Sequence, residues 1–417
     1  MNKKDYKIHI IGAGVSGLIA AKVLEDHGFH PIIFEASESV GGRVKTDIIN
    51  GYQLDHGFQV LLTSYPAAQK FLDFEALDLQ KFLPGASIFK YGKQKIIGDP
   101  LRDLSFLFST LFSDIGNFSD KIKILKLNIK LKNKTVEAIF QENEISTLTY
   151  LEHFGFSNQM INDFFKPFFS GIFLENELET SSRMFEFIYK MFGEGNAALP
   201  KGGIQAIPDQ LAEKLKRTTL KFNSKVNLVK DGEIVLDDTT SIKSDFTIVA
   251  TDASPLISNL KNQNTVWKSC DTLYFESEYS VIKRPLIGLI PQEGSLINNI
   301  FYHTSLKTNA KPNQVLLSVT VVDNQNLINE ALIEGVKKEL KIHCEIHNLK
   351  FIKHYNIPTA LPKLNHVKYD ILPSETRLTS TLFLAGDTQL NGSLNAAMIS
   401  GERAALGVVE VLSGTKF

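Results

Sequence analysis

Apolar and polar positions alternate along this chain in a way that marks out a strand, a helix and a second strand before residue 36. Residues 6–11 form a short apolar run of the kind covered on both faces in a parallel sheet. Residues 15–27 then carry apolar side chains at helical spacing up to Gly28, a natural helix end. Residues 31–35 give the second strand, with Pro31 at the first position, where no ladder hydrogen bond is lost. Downstream, three short strands are expected at 225–229, 233–236 and 245–250, with 247–252 returning the chain to the first sheet. Residues 76–199 read as mostly helical and 256–374 as mostly strands, judging by 273–275, 297–303 and 315–322. A buried strand ends at 383–385, and Ser393 opens a long apolar helix. No internal repeat, low-complexity block or linker interrupts the pattern.

The turn between the first strand and helix reads Ile10-Ile11-Gly12-Ala13-Gly14-Val15-Ser16-Gly17. Gly12 permits the tight turn, Gly14 lets a pyrophosphate approach the backbone, and Gly17 lets the helix press on the strand. The amides of Val15 and Ser16, at the helix N-terminus, face the phosphate charge. Glu35 follows at close to the roughly 20-residue spacing of a carboxylate that accepts hydrogen bonds from the adenosine ribose. An acid there disfavours a 2'-phosphate. Strand, turn, helix, strand and acid in this order describe a dinucleotide site.

These residues, together with Ala36 and the run Val40-Gly41-Gly42-Arg43-Val44-Lys45-Thr46, resemble the flavin amine oxidoreductase superfamily. That group includes monoamine and polyamine oxidases, protoporphyrinogen oxidases and carotenoid desaturases. Two distant segments are similar to it as well: Pro200-Lys201-Gly202-Gly203-Ile204, and Leu382 to Asp387 followed by Ser393 to Gly401. The resemblance implies FAD rather than NAD. It also implies an α/β fold in which a Rossmann-like FAD-binding domain interleaves with an α+β substrate domain. The first would have a parallel sheet with helices on both sides and a three-stranded β-meander, formed by residues 1–75, 200–255 and 375–417; the second would take 76–199 and 256–374. Gly41, Gly42 and Arg43 would continue the pyrophosphate cradle, and the backbone of Val226 would meet the adenine.

The turn Asp55-His56-Gly57-Phe58-Gln59 resembles the stretch that carries the backbone past the flavin ring, with Gly57 permitting close approach beside Phe58. His56, which titrates near neutrality, and Gln59 are candidates to hydrogen-bond the ring or substrate. The alternative is that Asp55 and His56 satisfy backbone groups of the turn. Gly386 lets the chain approach, Asp387 is placed to accept from ribityl hydroxyls, and the amides of Ser393 and Leu394 would face the ring edge that gains negative charge on reduction. The alternative there is an ordinary core helix capped by a serine. Residues 388–392 contain no aromatic and no cysteine, unlike amine oxidases, which favours noncovalent FAD and a non-amine substrate. Asn395 stands where desaturases commonly have an acid.

Three functions are consistent with this pattern. An FAD-dependent oxidoreductase would take hydride from an apolar substrate by dehydrogenation, desaturation or isomerisation. An amine or protoporphyrinogen-like oxidase would pass electrons to oxygen. A binding module resembling GDP-dissociation inhibitors would hold lipid or prenyl groups without catalysis.

Composition changes this picture little. Among 417 residues, 45 basic side chains balance 46 acidic ones, so nothing calls for nucleic acid. Cys270 and Cys344 have no metal or disulfide spacing, which suits a cytoplasmic protein. Lys3 and Lys4 imitate a secretory signal, but the nucleotide motif accounts for the apolar run that follows. No uninterrupted apolar run reaches the roughly 18 residues of a membrane span. His343 and His347 flank Cys344 and Glu345, yet the alternation of Ile342, Cys344 and Ile346 suggests a strand, so no metal is expected.

Phe154, Phe156, Phe164, Phe165, Phe168, Phe169 and Phe173 crowd one segment, reading as core or as the lining of an apolar pocket. Between 121 and 134 six lysines alternate with apolar residues without an acid, after the apolar stretch 104–112. A solvated helix face and a peripheral contact with anionic lipid are the two readings. Oligomeric state is not encoded in any feature of the sequence.

Overall fold

The computed structural model describes residues 2–90, 92–100, 102–111, 113–260, 264–310 and 314–417. Its nucleotide half is a five-stranded parallel sheet: β1 (Ile8–Ile11), β2 (Ile32–Phe34), β3 (Thr219–Lys221), β4 (Phe246–Val249) and β5 (Leu382–Leu384), in spatial order β3-β2-β1-β4-β5. Ile10 pairs with Ile33 on one side and Ile248 on the other, and Ile248 pairs with Phe383. All four are buried, which is why these segments read as apolar runs rather than alternating ones. Helix α1 (Val15–Asp26) follows β1 and α2 (Leu394–Ser413) follows β5.

The two helices cross in direct contact. A methyl group added at Gly401 would lie 2.2 Å from the Ser16 carbonyl oxygen, so α2 rests on the backbone of α1. The segments that follow the first and the last strand of the sheet are therefore packed together.

Three expectations are corrected. Residues 245–250 were grouped with the meander, whose strands are instead Val226–Lys230, Glu233–Leu236 and Ser241–Lys243. Phe246–Val249 is buried at every position and so occupies the parallel sheet, whereas the meander strands expose alternate residues. β3 escaped sequence reading because it is a polar edge strand with a single apolar residue, Leu220. The alternation at 342–346 belongs to no strand: helix Asn329–Cys344 runs to that point, burying Leu332, Val336, Leu340 and Cys344, and Glu345 ends it in the left-handed conformation. Ile342 faces solvent on this helix.

The other half centres on a seven-stranded sheet in the order Lys350–Pro362, Trp267–Ser277, Val315–Val321, Asn299–Tyr302, Ile287–Leu289, Gly85–Lys90, Lys93–Gly98. The segment expected to be mostly helical thus begins with strands, and its helices, including Phe118–Lys132 and Lys166–Phe173, follow. Phe165, Phe169 and Phe185 form a buried core there, the last two with ring centroids 4.7 Å apart. Phe164 and Phe168 are half-buried and border a cavity between this half and the parallel sheet. Among the described residues no helix is long and apolar enough to cross a membrane.

Candidate active site

The glycine turn owes its shape to backbone conformation. Gly12 has φ +101°, which side-chain-bearing residues rarely adopt. A methyl on Gly17 would fall 2.0 Å from the Gly12 carbonyl oxygen, so helix and turn pack without space for a side chain. Gly14 differs: a methyl there meets nothing within 4 Å and would project into open space. Gly41 bridges to Gly14, its amide donating to the Ala13 carbonyl at 2.9 Å, and this sets Gly42 against the Gly14 backbone. Gly14 caps α1 with no side-chain hydrogen bond, and the first turn of α1 holds no acid. The first turn itself thus supplies no anion to the positive end of the helix dipole.

Glu35 closes this cradle. One carboxylate oxygen accepts from the Ala13 amide at 2.7 Å, and the other accepts from the Ser37 amide at 2.9 Å and its hydroxyl at 2.7 Å. Opposite, Arg43 reaches Asp387 at 2.5 Å, donates to the Ala360 carbonyl at 3.2 Å and lies 5.0 Å over the Trp267 ring. Gly386, with φ +136°, turns the chain into Asp387, and its amide donates to the Ser400 hydroxyl oxygen at 2.9 Å. Ser393 caps α2, its hydroxyl accepting from the Ala396 amide at 3.0 Å, and Ser393 and Leu394 border the same space. Asn395 is turned away from that space; its carbonyl accepts from the Ala67 amide at 3.0 Å.

A single cavity of about 1500 Å³ joins these groups. Gly12, Gly14, Val15, Ser16, Glu35, Gly41, Gly42 and Arg43 line one arm, and Gly386, Asp387, Ser393 and Leu394 border it. His56, Gly57, Phe58 and Gln59 stand at the middle, and the other arm runs past Phe164 and Phe168 to Asn299 and Thr320 on the large sheet. Three residues singled out from the sequence are elsewhere. Gly17 is packed inside the turn, Ala36 is exposed on the surface, and Val226 is buried between the meander and the parallel sheet.

Within the 55–59 turn, Asp55 and Gln59 bond to protein groups, and His56 and Gln59 also border the cavity. Asp55 is buried and accepts from the Thr46 hydroxyl at 2.6 Å and the Ile204 amide at 3.1 Å, so it ties the hairpin to the Pro200–Ile204 segment. Burial pushes its carboxyl up to about 6. Gln59 donates to the carbonyls of Arg43 and His56, both at 2.9 Å, and so braces the loop. His56 borders the cavity while its Nε2 lies 3.0 Å from Asp47, and Tyr355 donates to the same carboxylate oxygen at 2.6 Å. Burial raises Asp47, but these hydrogen bonds outweigh it and hold the carboxyl below its usual range.

The lining residues Trp267, Lys268 and Tyr355, and Asp47 behind Tyr355, were not found from the sequence. Lys268 donates to the Phe173 carbonyl at 2.9 Å and the Thr180 hydroxyl at 3.0 Å, and burial lowers its ammonium from the usual lysine range. No local motif marks these residues, because register between distant strands brings them together.

FAD fits this site. Exposed glycine backbone at Gly14 and Gly42, a helix with no acid in its first turn and a carboxylate at the end of β2 are the donors and spacing that a dinucleotide requires. The cavity exceeds the roughly 300–1,000 Å³ of common ligand pockets, leaving room for a second molecule beside the cofactor.

Comparison with known proteins agrees with the geometry. The family model described as flavin containing amine oxidoreductase matches residues 15–409. The mitochondrial protoporphyrinogen oxidase of Nicotiana tabacum is 26% identical over 165 residues, which is 40% of this chain and 32% of that protein, about a third of its length. The 15-cis-phytoene desaturase of Solanum lycopersicum is 21% identical over 98% of this chain and 78% of its own. Among solved structures, an oxidoreductase from Methanosarcina mazei superposes with TM-score 0.70 at 17% identity, covering 97% of this chain and 100% of that one. Putrescine oxidase bound to putrescine gives 0.68 at 15%, covering 97% and 99%. At these identities the structural matches speak for the fold.

Proposed function

This chain belongs to the flavin containing amine oxidoreductase family, and we propose that it binds FAD noncovalently and oxidises a large apolar substrate by hydride transfer. The cofactor supplies the hydride acceptor. The chain's own residues hold it and arrange the substrate. Gly14, Gly42 and the first turn of α1 take the pyrophosphate, Glu35 the ribose, and Asp387 with the first turn of α2 the opposite end.

The observation that carries the substrate class is the far arm of the cavity. Leu107, Ile115, Met160, Phe164, Phe168 and Ile172 line it, and although Asp99, Glu144, Glu175 and Glu179 also border the cavity, its wall is more apolar than polar. Such a wall binds by burial of apolar surface and excludes water from the reacting centre. His56, oriented by Asp47, is the group proposed to move a proton beside the ring. The free and buried thiols of Cys270 and Cys344 suit a reducing, cytoplasmic compartment.

Purified protein tests this reading. Flavin absorbance that passes into the supernatant after denaturation, with apolar molecules recovered by organic extraction and mass spectrometry, supports it. Reduction of the flavin by such a molecule, followed by fast reoxidation with quinone and slow reoxidation with oxygen, identifies a dehydrogenase or desaturase. Peroxide formed on adding amines replaces it with the oxidase reading, and colourless protein with bound lipid replaces it with a binding module.

A further inference from the structure

We infer that the helix Phe118–Lys132 seats this protein on an anionic lipid surface, with the apolar arm of the cavity opening beside the bilayer. The inference rests on the outer surface and does not depend on the reaction proposed above.

The helix buries one face and exposes a second apolar face that the fold does not use. Leu127 and Leu131 are buried, whereas Phe118 is 69% exposed, Ile122 41%, Leu125 43% and Ile129 63%. At 3.6 residues per turn these four positions fall within an arc of about 60°, nearly opposite the buried pair. Leu104, 79% exposed, and Leu107, 43% exposed, extend the apolar surface just before this helix. Phe112, part of the same sequence stretch, lies outside the described residues. Isolated exposed leucines are ordinary, but a continuous stripe on one helix is not.

Charge selects the occupant. Residues 121–136 contain six lysines and no acid. Lys130 and Lys134 have a structural role, at 2.9 Å and 2.5 Å from the buried Glu186. Lys126 and Lys132 make no ion pair among the described residues and border the stripe on its two sides, an apolar band with a basic rim. That is the arrangement of a helix lying in the interface of an anionic membrane, with the apolar face among acyl chains and the lysines at the headgroups. A protein partner would need an acidic rim around an apolar groove; a lipid leaflet supplies both everywhere.

Position connects the surface to the cavity. Ile124, Leu125 and Asn128 of this helix line the cavity, as does Leu107. Leu125 therefore belongs to both the exposed stripe and the pocket wall, and connects the two.

The test is co-sedimentation of the flavin-loaded protein with phosphatidylcholine vesicles, with and without about a third phosphatidylglycerol. Binding is expected to the anionic vesicles and to fall with salt. The variant Lys126→Gln/Lys132→Gln should lose about fivefold per lysine, and Phe118→Ser/Ile129→Ser at least about tenfold. All four side chains are on the surface, so flavin content and thermal midpoint should match the parent, and a loss of vesicle binding is then a loss of contact. Parental binding by both variants overturns the inference. So does a failure to bind anionic vesicles, including the case where the parent forms a dimer that Phe118→Ser/Ile129→Ser dissociates.

Discussion

The Arg43 guanidinium lies 2.5 Å from the Asp387 carboxylate, joining residues 344 positions apart across the proposed cofactor site. Asp387 is nearly buried, while Arg43 is partly exposed and also held by the Ala360 carbonyl and the Trp267 ring. The pair thus fixes the loop after β2 against the turn after β5. Asp387→Asn and Arg43→Ala should each weaken FAD binding by about tenfold or more, the loss usual for a hydrogen bond to a charged group. The double variant should show coupling of about 1 kcal/mol, because exposure of Arg43 screens the pair. Fluorescence titration of apoprotein with FAD measures this; two single variants with parental affinity would remove both residues from the site.

Gly14 and Gly17 make opposite predictions although they belong to one motif. Gly14 has an ordinary negative φ and free space at its α-carbon, so Gly14→Ala should cost the fold less than about 1 kcal/mol. The new methyl occupies the cradle, and FAD affinity should fall by at least about tenfold, a price of roughly 1.4 kcal/mol. Gly17→Ala forces a methyl against the Gly12 carbonyl and should lower stability by about 3 kcal/mol. Urea unfolding of apoprotein beside FAD titration separates the two. Parental FAD affinity in Gly14→Ala would count against the cradle itself.

Stability should depend on pH through three buried groups. Burial lowers His303 to about 4, and burial, with Lys221 and Lys7 nearby, lowers His9 to about 4. Each contributes stability that is complete above pH 6.5 and is lost as pH falls toward 4, because the unfolded chain takes up the proton first. Asp55, raised by burial from 3.8 to about 6, works in reverse: its contribution is complete below pH 3.8 and is lost as pH rises through about 6. Asp55→Asn keeps an oxygen for Thr46 and Ile204 and should gain up to about 3 kcal/mol at neutral pH. It should also steepen the acid loss from pH 6.5 to 4, since the opposing group is gone. Urea midpoints across this range check the sign; a variant less stable than the parent at pH 7 would contradict it.

How far the site was legible follows from where each residue's role is encoded. Gly12 and Gly386 are needed for backbone conformations that other residues avoid, and Ser393 for a helix cap, so local sequence was sufficient to find them. Glu35 was legible from its spacing. The partner of Arg43 was not, nor were Lys268, Tyr355 and Asp47, because antiparallel register and the hairpin Thr46–Ile49 to Tyr52–Asp55 bring them in from distant segments. β3 was missed because an edge strand needs little apolar patterning, and Ile342 to Ile346 misled because the last turn of a helix offers too few residues to distinguish periods of two and 3.6. Gln59, a candidate to meet the ring or substrate, lines the cavity and also braces the loop through Arg43 and His56, while Asp55 ties that loop to Ile204, a long-range bond that the local sequence does not reveal.

His56 gives the sharpest test of the chemistry. Its ring is 4.4 Å from that of Tyr355, and both side chains meet one oxygen of Asp47, whose carboxyl is held below its usual range by those hydrogen bonds. An ionised Asp47 holds the tilt of the imidazole and accepts its Nε2–H, the arrangement of a positioned acid or base. His56→Asn should therefore lower the rate of flavin reduction by about a hundredfold or more, with FAD affinity within about twofold of the parent, since the residue sits beyond the phosphate cradle. Asp47→Asn, which acts only through His56, should leave a smaller rate loss and change the pH profile of reduction, because the ionised carboxylate facing the imidazole is gone. Tyr355→Phe keeps the ring against His56 and removes one donor to Asp47, so its profile should fall between the two. A purely structural role for the trio predicts something else: lowered thermal midpoints in all three variants and one unchanged pH profile. Stopped-flow reduction across pH, read beside thermal melts, decides between them.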